Sequence, residues 1–327
     1  MIFDIDLDKF KRSLGLRELF LKTILPLKYP IILNIEPTNR CNLSCTFCPR
    51  KISKRKLADI QWIDFEKIAQ EAADNGPIYK IFLQKDGEPL LHPKIVEMVQ
   101  CLKSLNSARN VTIISNGTLL NGDLFTSLAK AGLNDIIISV DAVDARSYSE
   151  LKGRDCYHTV KKNLEEAARI KNISGFKGPR IKARMVERKG HEIEKEVFSQ
   201  IWSGIADSVD ITPFHTWMNS VEDQRTYTSS IERYPCSLLW YTGIINADLS
   251  VSPCCIDYNC AGVIGSLEHS NFYSVWNGRE FNNLRRNHLF SEYSNTRICG
   301  SCQYWLIKEN LGKWFRRKYR IQKASGR

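Results

Sequence analysis

Six apolar or β-branched runs recur along this chain, and a segment of helical periodicity follows each of the first five. The runs read as strands at 31–36 (IILNIE), 79–84 (YKIFLQ), 111–115 (VTIIS), 135–140 (DIIISV), 180–186 (RIKARMV) and 208–214 (SVDITPF). Helical patterns lie near 63–75, 93–104, 121–131, 156–172 and 190–203, with Asn121 and Asp123 placed to cap the third. Strands that all run the same way need a long crossover between them, and a helix is the usual one. The alternation therefore predicts an α/β fold in which a parallel sheet with helices outside curves into a partial (β/α)6 barrel, with an open sheet as the alternative.

In such sheets ligands bind beyond the carboxyl ends of the strands. Polar residues gather at those ends here. Three cysteines follow the first strand, Gln84 to Pro89 the second, Ser115 and Asn116 the third, and Ser139 and Asp141 the fourth. After about residue 225 the alternation stops and cysteines collect from Cys236 to Cys302. The expected organisation is an N-terminal helical extension (1–29), a barrel (30–225), a smaller unit (226–307) and a basic tail (308–327).

Eleven cysteines are present, nine of them in two regions. No apolar run reaches the roughly 18 residues of a membrane span, and the N-terminus lacks the basic-then-apolar order of a signal peptide. Both points predict a cytoplasmic address, where disulfides are rare and clustered cysteines bind metal. The net charge of +11 is uneven, because residues 308–327 hold eight Lys/Arg and one acid. That tail is expected to be a solvated helix packing through Trp314, Phe315 and Tyr319, with membrane contact the less favoured reading. No nucleic-acid partner is expected.

The first cysteine group reads C-x3-C-x2-C (Cys41, Cys45, Cys48). Three thiolates on a short loop can hold three irons of a [4Fe–4S] cube and leave the fourth iron open to chelate a substrate. A structural zinc site needs four closed ligands, and no fourth lies nearby.

This triplet, directly after a first strand, resembles the radical S-adenosylmethionine (SAM) superfamily over roughly residues 30 to 215. The resemblance implies that SAM chelates the open iron. It implies further that Phe47 lies beside the adenine and that Asp86-Gly87-Glu88-Pro89 stands for the family's Gly-Gly-Glu-Pro motif, which receives the SAM amino group. Asp86 departs from the first glycine of that motif. Ser115 and Asn116, with Ser139 and Asp141 of the ISVD run, resemble ribose and methionine contacts, and Arg184 the basic residue that meets the SAM carboxylate. For Ser115 and Asn116 an ordinary strand-end turn is the competing reading, and for Arg184 a salt-bridged barrel residue.

The second group has 17 residues between Cys236 and Cys254, 44 between Cys254 and Cys299, and a C-x2-C pair at Cys299 and Cys302. Four thiolates can close either a [4Fe–4S] cluster or a zinc site, and spacing alone does not choose. Residues 241–255 read as a hairpin turning near Ala247-Asp248, followed by a helix near 273–288. Consecutive side chains on a strand face opposite ways, so Cys255 is not expected to join Cys254, and Cys260 lies beyond the returning strand. Cys101 and Cys156 read as structural. The layout resembles the SPASM/twitch auxiliary-cluster extension of radical SAM enzymes, in its one-cluster form, with spacing similar to that of 2-deoxy-scyllo-inosamine dehydrogenases.

The resemblance implies an enzyme with SAM and two [4Fe–4S] clusters that forms a 5′-deoxyadenosyl radical. An auxiliary cluster with four protein ligands is suited to accept an electron. The expected reaction is therefore oxidation of a secondary alcohol on a small sugar, aminocyclitol or sugar nucleotide. Gln84, Lys85, Glu187 and His215 are candidates to contact substrate or move its proton. A flavodoxin or ferredoxin is the expected electron donor. Redox-neutral radical chemistry and peptide modification are the alternatives, the latter disfavoured because the residues before the first strand are too few for a peptide-recognition domain. A zinc-bound interaction protein is the non-enzyme reading.

Overall fold

The structure is a computed structural model that describes residues 27–191, 193–223 and 233–305. Most of the expected N-terminal extension and the basic tail with Trp314, Phe315 and Tyr319 lie outside the described residues.

Six parallel strands form the body: β1 (Ile32–Ile35), β2 (Ile78–Leu83), β3 (Ala108–Ser115), β4 (Asp135–Ser139), β5 (Arg180–Glu187) and β6 (Ser208–Pro213). Each pairs with its neighbour in chain order, the arrangement produced when every crossover steps the same way. Among the described residues β1 does not pair with β6, so the sheet is an unclosed barrel. The crossovers carry α1 (Trp62–Asp74), α2 (Ile95–Ser104), α3 (Gly122–Lys130), α4 (Ala145–Lys152), α5 (Tyr157–Ser174) and α6 (Glu194–Ser203). Asn121 caps α3 by accepting the Leu124 N–H at 2.8 Å.

Strands covered on both faces read as continuous apolar runs, and β1 is buried at all four positions. Helix α1 lays Phe65, Ile68, Ala69 and Ala72 on the sheet. Burying a side chain such as Phe65, fully enclosed, contributes about 1.5–3 kcal/mol.

The C-terminal hairpin forms, as β7 (Thr242–Ile245) and β8 (Ser250–Ser252), joined by β9 (Gly265–Ser266). It is not a separate sheet: β7 pairs in parallel with β1, and one nine-stranded sheet runs through both parts. Three sequence expectations need correction. Cys254 and Cys255 sit in a turn past β8 and not on a strand, so strand alternation does not govern them. The helix at 273–288 is two helices, α7 (Phe272–Asn277) and α8 (Arg279–Leu289), because the chain is extended at Gly278 between them. Helix α4 was not anticipated. Its Asp144–Ser147 capping box lies in a mostly polar segment whose only deeply buried side chains are Tyr148, Leu151 and Lys152. Glu71 on α1 accepts the backbone N–H groups of Phe272 and Tyr273 at 2.9 and 2.6 Å and fixes α7 to the barrel.

Candidate functional site

The segment after β1 lies over the carboxyl ends of the strands and is gripped from two sides. On one side, the Glu88 N–H donates to the Arg40 carbonyl at 2.7 Å. A side-chain carbon on Gly87 would collide with the Thr38 carbonyl and lie 2.7 Å from the Arg40 carbonyl, so only glycine permits this approach. Asn42 donates to Thr118 Oγ1 and accepts from Asn116 Nδ2, both at 2.8 Å. On the other side, Ser44 and Thr46 donate their N–H groups to the Lys152 and Leu151 carbonyls at 3.3 and 2.8 Å. There Gly153 ends α4 in the left-handed region (φ 71°), and any side chain would meet Ser44 Oγ at 2.7 Å.

Cys41, Cys45 and Cys48 are half-buried on this clamped loop. Burial pushes their thiols up, Cys48 to about 11, and Cys41 and Cys48 each carry a repulsive contribution from a neighbouring thiol of the set. Thiols held protonated and crowded together suit a group that displaces their protons on binding. Among the described residues no three His, Cys, Asp or Glu side chains converge tightly enough for a single metal ion. A four-iron cube takes each thiolate at a separate iron, so its ligands need not converge on a point.

The motif residues have internal partners. Glu88 is buried and caps the short turn Pro89–Leu91 by accepting the Leu90 N–H at 3.1 Å. Its carboxylate also accepts the Ser115 hydroxyl and the Asn116 N–H, both at 2.7 Å. Pro89 starts that turn, where its missing N–H costs nothing. Asp86 lies in a buried network: its Oδ2 accepts from Arg55 Nη1 and Lys85 Nζ, each at 2.8 Å. Arg55 also grips Glu36 through both guanidinium nitrogens, at 3.0 and 2.6 Å. The departure from glycine at position 86 thus creates an anchor for two buried cations.

The remaining expected residues divide. The Phe47 ring faces the Lys152 ammonium, which lies 5.4 Å from the ring centre. Asp141 takes Lys152 Nζ at 2.5 Å on one oxygen and the Val186 N–H at 2.7 Å on the other. Ser139 and Arg184 are register partners on β4 and β5, and Arg184 pairs with Asp210 on β6 at 2.6 Å. Arg184 thus forms a salt bridge across the sheet. Gln84 donates to Asn34 at 2.8 Å. Lys85 also donates to the Asp257 carbonyl at 3.0 Å. Burial alone would lower its affinity for a proton, but Asp86 and Glu36 outweigh burial and raise it, which makes Lys85 a poor proton acceptor. Glu187 accepts from Lys195 Nζ at 2.6 Å. His215 is half-buried, and desolvation lowers it to about 4; its ring meets Tyr304 edge-on with centres 4.5 Å apart. It lines a small cavity with Cys302 of the second cysteine group.

Cys236, Cys254, Cys299 and Cys302 line one cavity, together with Met218, Tyr304 and His288. Burial raises all four thiols except Cys254, where the Cys255 thiol is the larger influence and burial the second. Cys255 and Cys260 do not line this cavity. Cys260 Sγ lies 3.9 Å from Lys85 Nζ, on the barrel side. Two functional-looking residues escaped the sequence reading. Lys152 is a lone basic residue at a helix end, and Arg55 one of five cations in a run that reads as a solvated face.

The comparisons agree with this geometry. Residues 35–178 match the model of the radical SAM superfamily, and residues 236–303 match the SPASM model, an iron-sulfur cluster-binding domain. A probable GTP 3′,8-cyclase of Methanothermobacter marburgensis is 36% identical over 137 residues, 42% of this chain and 44% of that protein. The PqqA peptide cyclase of Gluconobacter oxydans is 31% identical over 151 residues, 45% of this chain and 41% of its own. The chain thus spans under half the length of the curated relatives it matches. Streptococcus suis SuiB bound to precursor peptide SuiA superposes with a TM-score of 0.66 at 17% identity, over 92% of this chain and 78% of that one. BtrN in complex with AdoMet and 2-DOIA superposes with a TM-score of 0.58 at 16% identity, over 83% and 92%. Among the described residues no helix is long and apolar enough to cross a membrane. Residues 35–178 thus form a radical SAM domain, and residues 236–303 a C-terminal SPASM domain that binds an iron–sulfur cluster.

Proposed function

We propose that the chain oxidises a small polar substrate by two electrons, converting a secondary alcohol of a sugar, aminocyclitol or sugar nucleotide to a ketone. In this reading Cys41, Cys45 and Cys48 hold the SAM-binding cluster, and Cys236, Cys254, Cys299 and Cys302 hold the auxiliary one. When bound, the first cluster and SAM supply hydrogen abstraction, and the second supplies an electron acceptor. The observation that carries the reading is the single cavity lined by all four C-terminal thiols. Four protein ligands leave no iron open to substrate, which favours an electron-transfer role. Oxidation of the alcohol removes one hydrogen atom, one electron and one proton. Glu187, a carboxylate at the carboxyl end of β5 held by Lys195, is the candidate to take the proton. Gln84, which donates to Asn34, is the candidate polar contact to substrate. A flavodoxin or ferredoxin is the proposed electron source.

The test is anaerobic turnover of the full chain with SAM, reductant and a panel of such alcohols. Ketone should form in step with 5′-deoxyadenosine. A Cys299→Ala/Cys302→Ala chain should still release 5′-deoxyadenosine but make at most about a tenth of the ketone. Undiminished ketone from that variant would defeat the proposal. A second reading follows from the 36% identity of the barrel to a GTP 3′,8-cyclase. It is a redox-neutral reaction on a nucleotide, and it predicts a product of unchanged oxidation state.

A further inference from the structure

Lys152 is 2% exposed, among the most deeply buried cations of the described chain. Removing an ammonium from water costs several kcal/mol even after relaxation, so its position needs an explanation. Asp141 supplies part of it, at 2.5 Å. That carboxylate is itself fixed, by the Val186 N–H and by a left-handed backbone (φ 63°) at the end of β4. An ion pair alone does not need this location. What lies on the far side of the ammonium is the cysteine loop. Phe47 covers it at 5.4 Å, and the loop's Ser44 and Thr46 N–H groups are held by the carbonyls of Lys152 and Leu151. The end of α4 therefore delivers two things to one loop, backbone acceptors that set its path and a cation beneath it.

We propose that Lys152 is a positioning residue for the SAM-binding cluster: clamped by Asp141, it fixes a positive charge beneath the Cys45–Phe47 turn and makes that cluster easier to reduce. A cluster on three thiolates gains negative charge on reduction, and a nearby cation in a water-poor setting favours the more negative state. Arg50, which donates to the Leu43 carbonyl at 2.8 Å, adds a second cation near the loop. The inference rests on Cys45 as a ligand of the first cluster.

The test compares Lys152→Met and Lys152→Arg in the full chain after anaerobic reconstitution. The first cluster is identified as the one whose reduced EPR spectrum changes when SAM is added. At the potential where the parent cluster is half reduced, Lys152→Met should show a reduced-to-oxidised ratio about tenfold lower, near 59 mV for one electron. Lys152→Arg should stay within about twofold. An unchanged ratio in a fully loaded Lys152→Met chain overturns the proposal. If Lys152→Met fails to load iron at this site, loading restored by arginine supports a charge role, and loading lost in both variants overturns it in favour of shape. A Cys45→Ala chain that keeps its SAM-responsive cluster would instead break the ligand reading beneath it.

Discussion

Ser115 donates its hydroxyl to Glu88 Oε1 at 2.7 Å while accepting the Gly117 N–H at 2.9 Å. The end of β3 and the turn after β2 are thereby locked through one carboxylate. Glu88→Ala would strand three donors, the Ser115 hydroxyl and the N–H groups of Leu90 and Asn116. A buried donor without a partner costs about 1–3 kcal/mol. The variant should melt several degrees lower and bind SAM at least about tenfold more weakly, while iron content holds. Calorimetry and SAM titration check this, and an unchanged melting point would show that the lock is not stabilising.

Asp86→Gly restores the glycine that the superfamily motif has at this position. Here it should harm the protein, because Lys85 and Arg55 lose a shared carboxylate while 1% and 5% exposed. Breaking a buried pair by deleting one partner costs roughly 3 kcal/mol. A melting point equal to that of the parent would refute the anchor.

Iron analysis after anaerobic reconstitution should give about eight irons per chain from two four-iron clusters. Replacing Cys299 or Cys254 by Ala should leave about four, and replacing Cys255, outside the shared cavity, should leave all eight. Loss of the second cluster on Cys255→Ala, with retention on Cys254→Ala, would reverse that choice.

The amino ends of the strands supply a pH test. Asp135 is buried, and burial alone would raise its carboxyl. Lys80, Lys182 and Arg180 overcome this and hold it below the usual carboxylate range. A depressed carboxyl contributes stability above its ordinary value of about 3.9 and loses it as the pH falls toward the depressed one. Asp135→Asn should therefore melt several degrees below the parent at pH 7. The gap should narrow only below about pH 4. A gap that closes already at pH 6 would contradict the assignment.

The strands were legible because parallel strands buried on both faces are continuous apolar runs, and each of the six falls within a few residues of its expected place. The cysteine triplet was legible from spacing. What stayed hidden depends on contacts distant in sequence. Helix α4 buries few residues and shows little apolar stripe. The pairing of Lys152 with Asp141 needs a left-handed turn that an aspartate does not advertise. The parallel join of β7 to β1 follows from no local signal, since the register Leu33 to Gly243 spans some 210 residues. Equally, no spacing rule reveals that Ser115 and Asn116 serve Glu88.

That join has a consequence for synthesis on the ribosome. Until Thr242–Ile245 emerges, the outer side of Ile32–Ile35 is an unsatisfied edge with the sequence ILNI, apolar and free of charge. Such edges recruit other chains. A product truncated near residue 225 keeps every element of the six-stranded body yet leaves that edge bare. Its defect would be self-association, and the remedy would be the missing hairpin supplied as β7 and β8, not a more stable core.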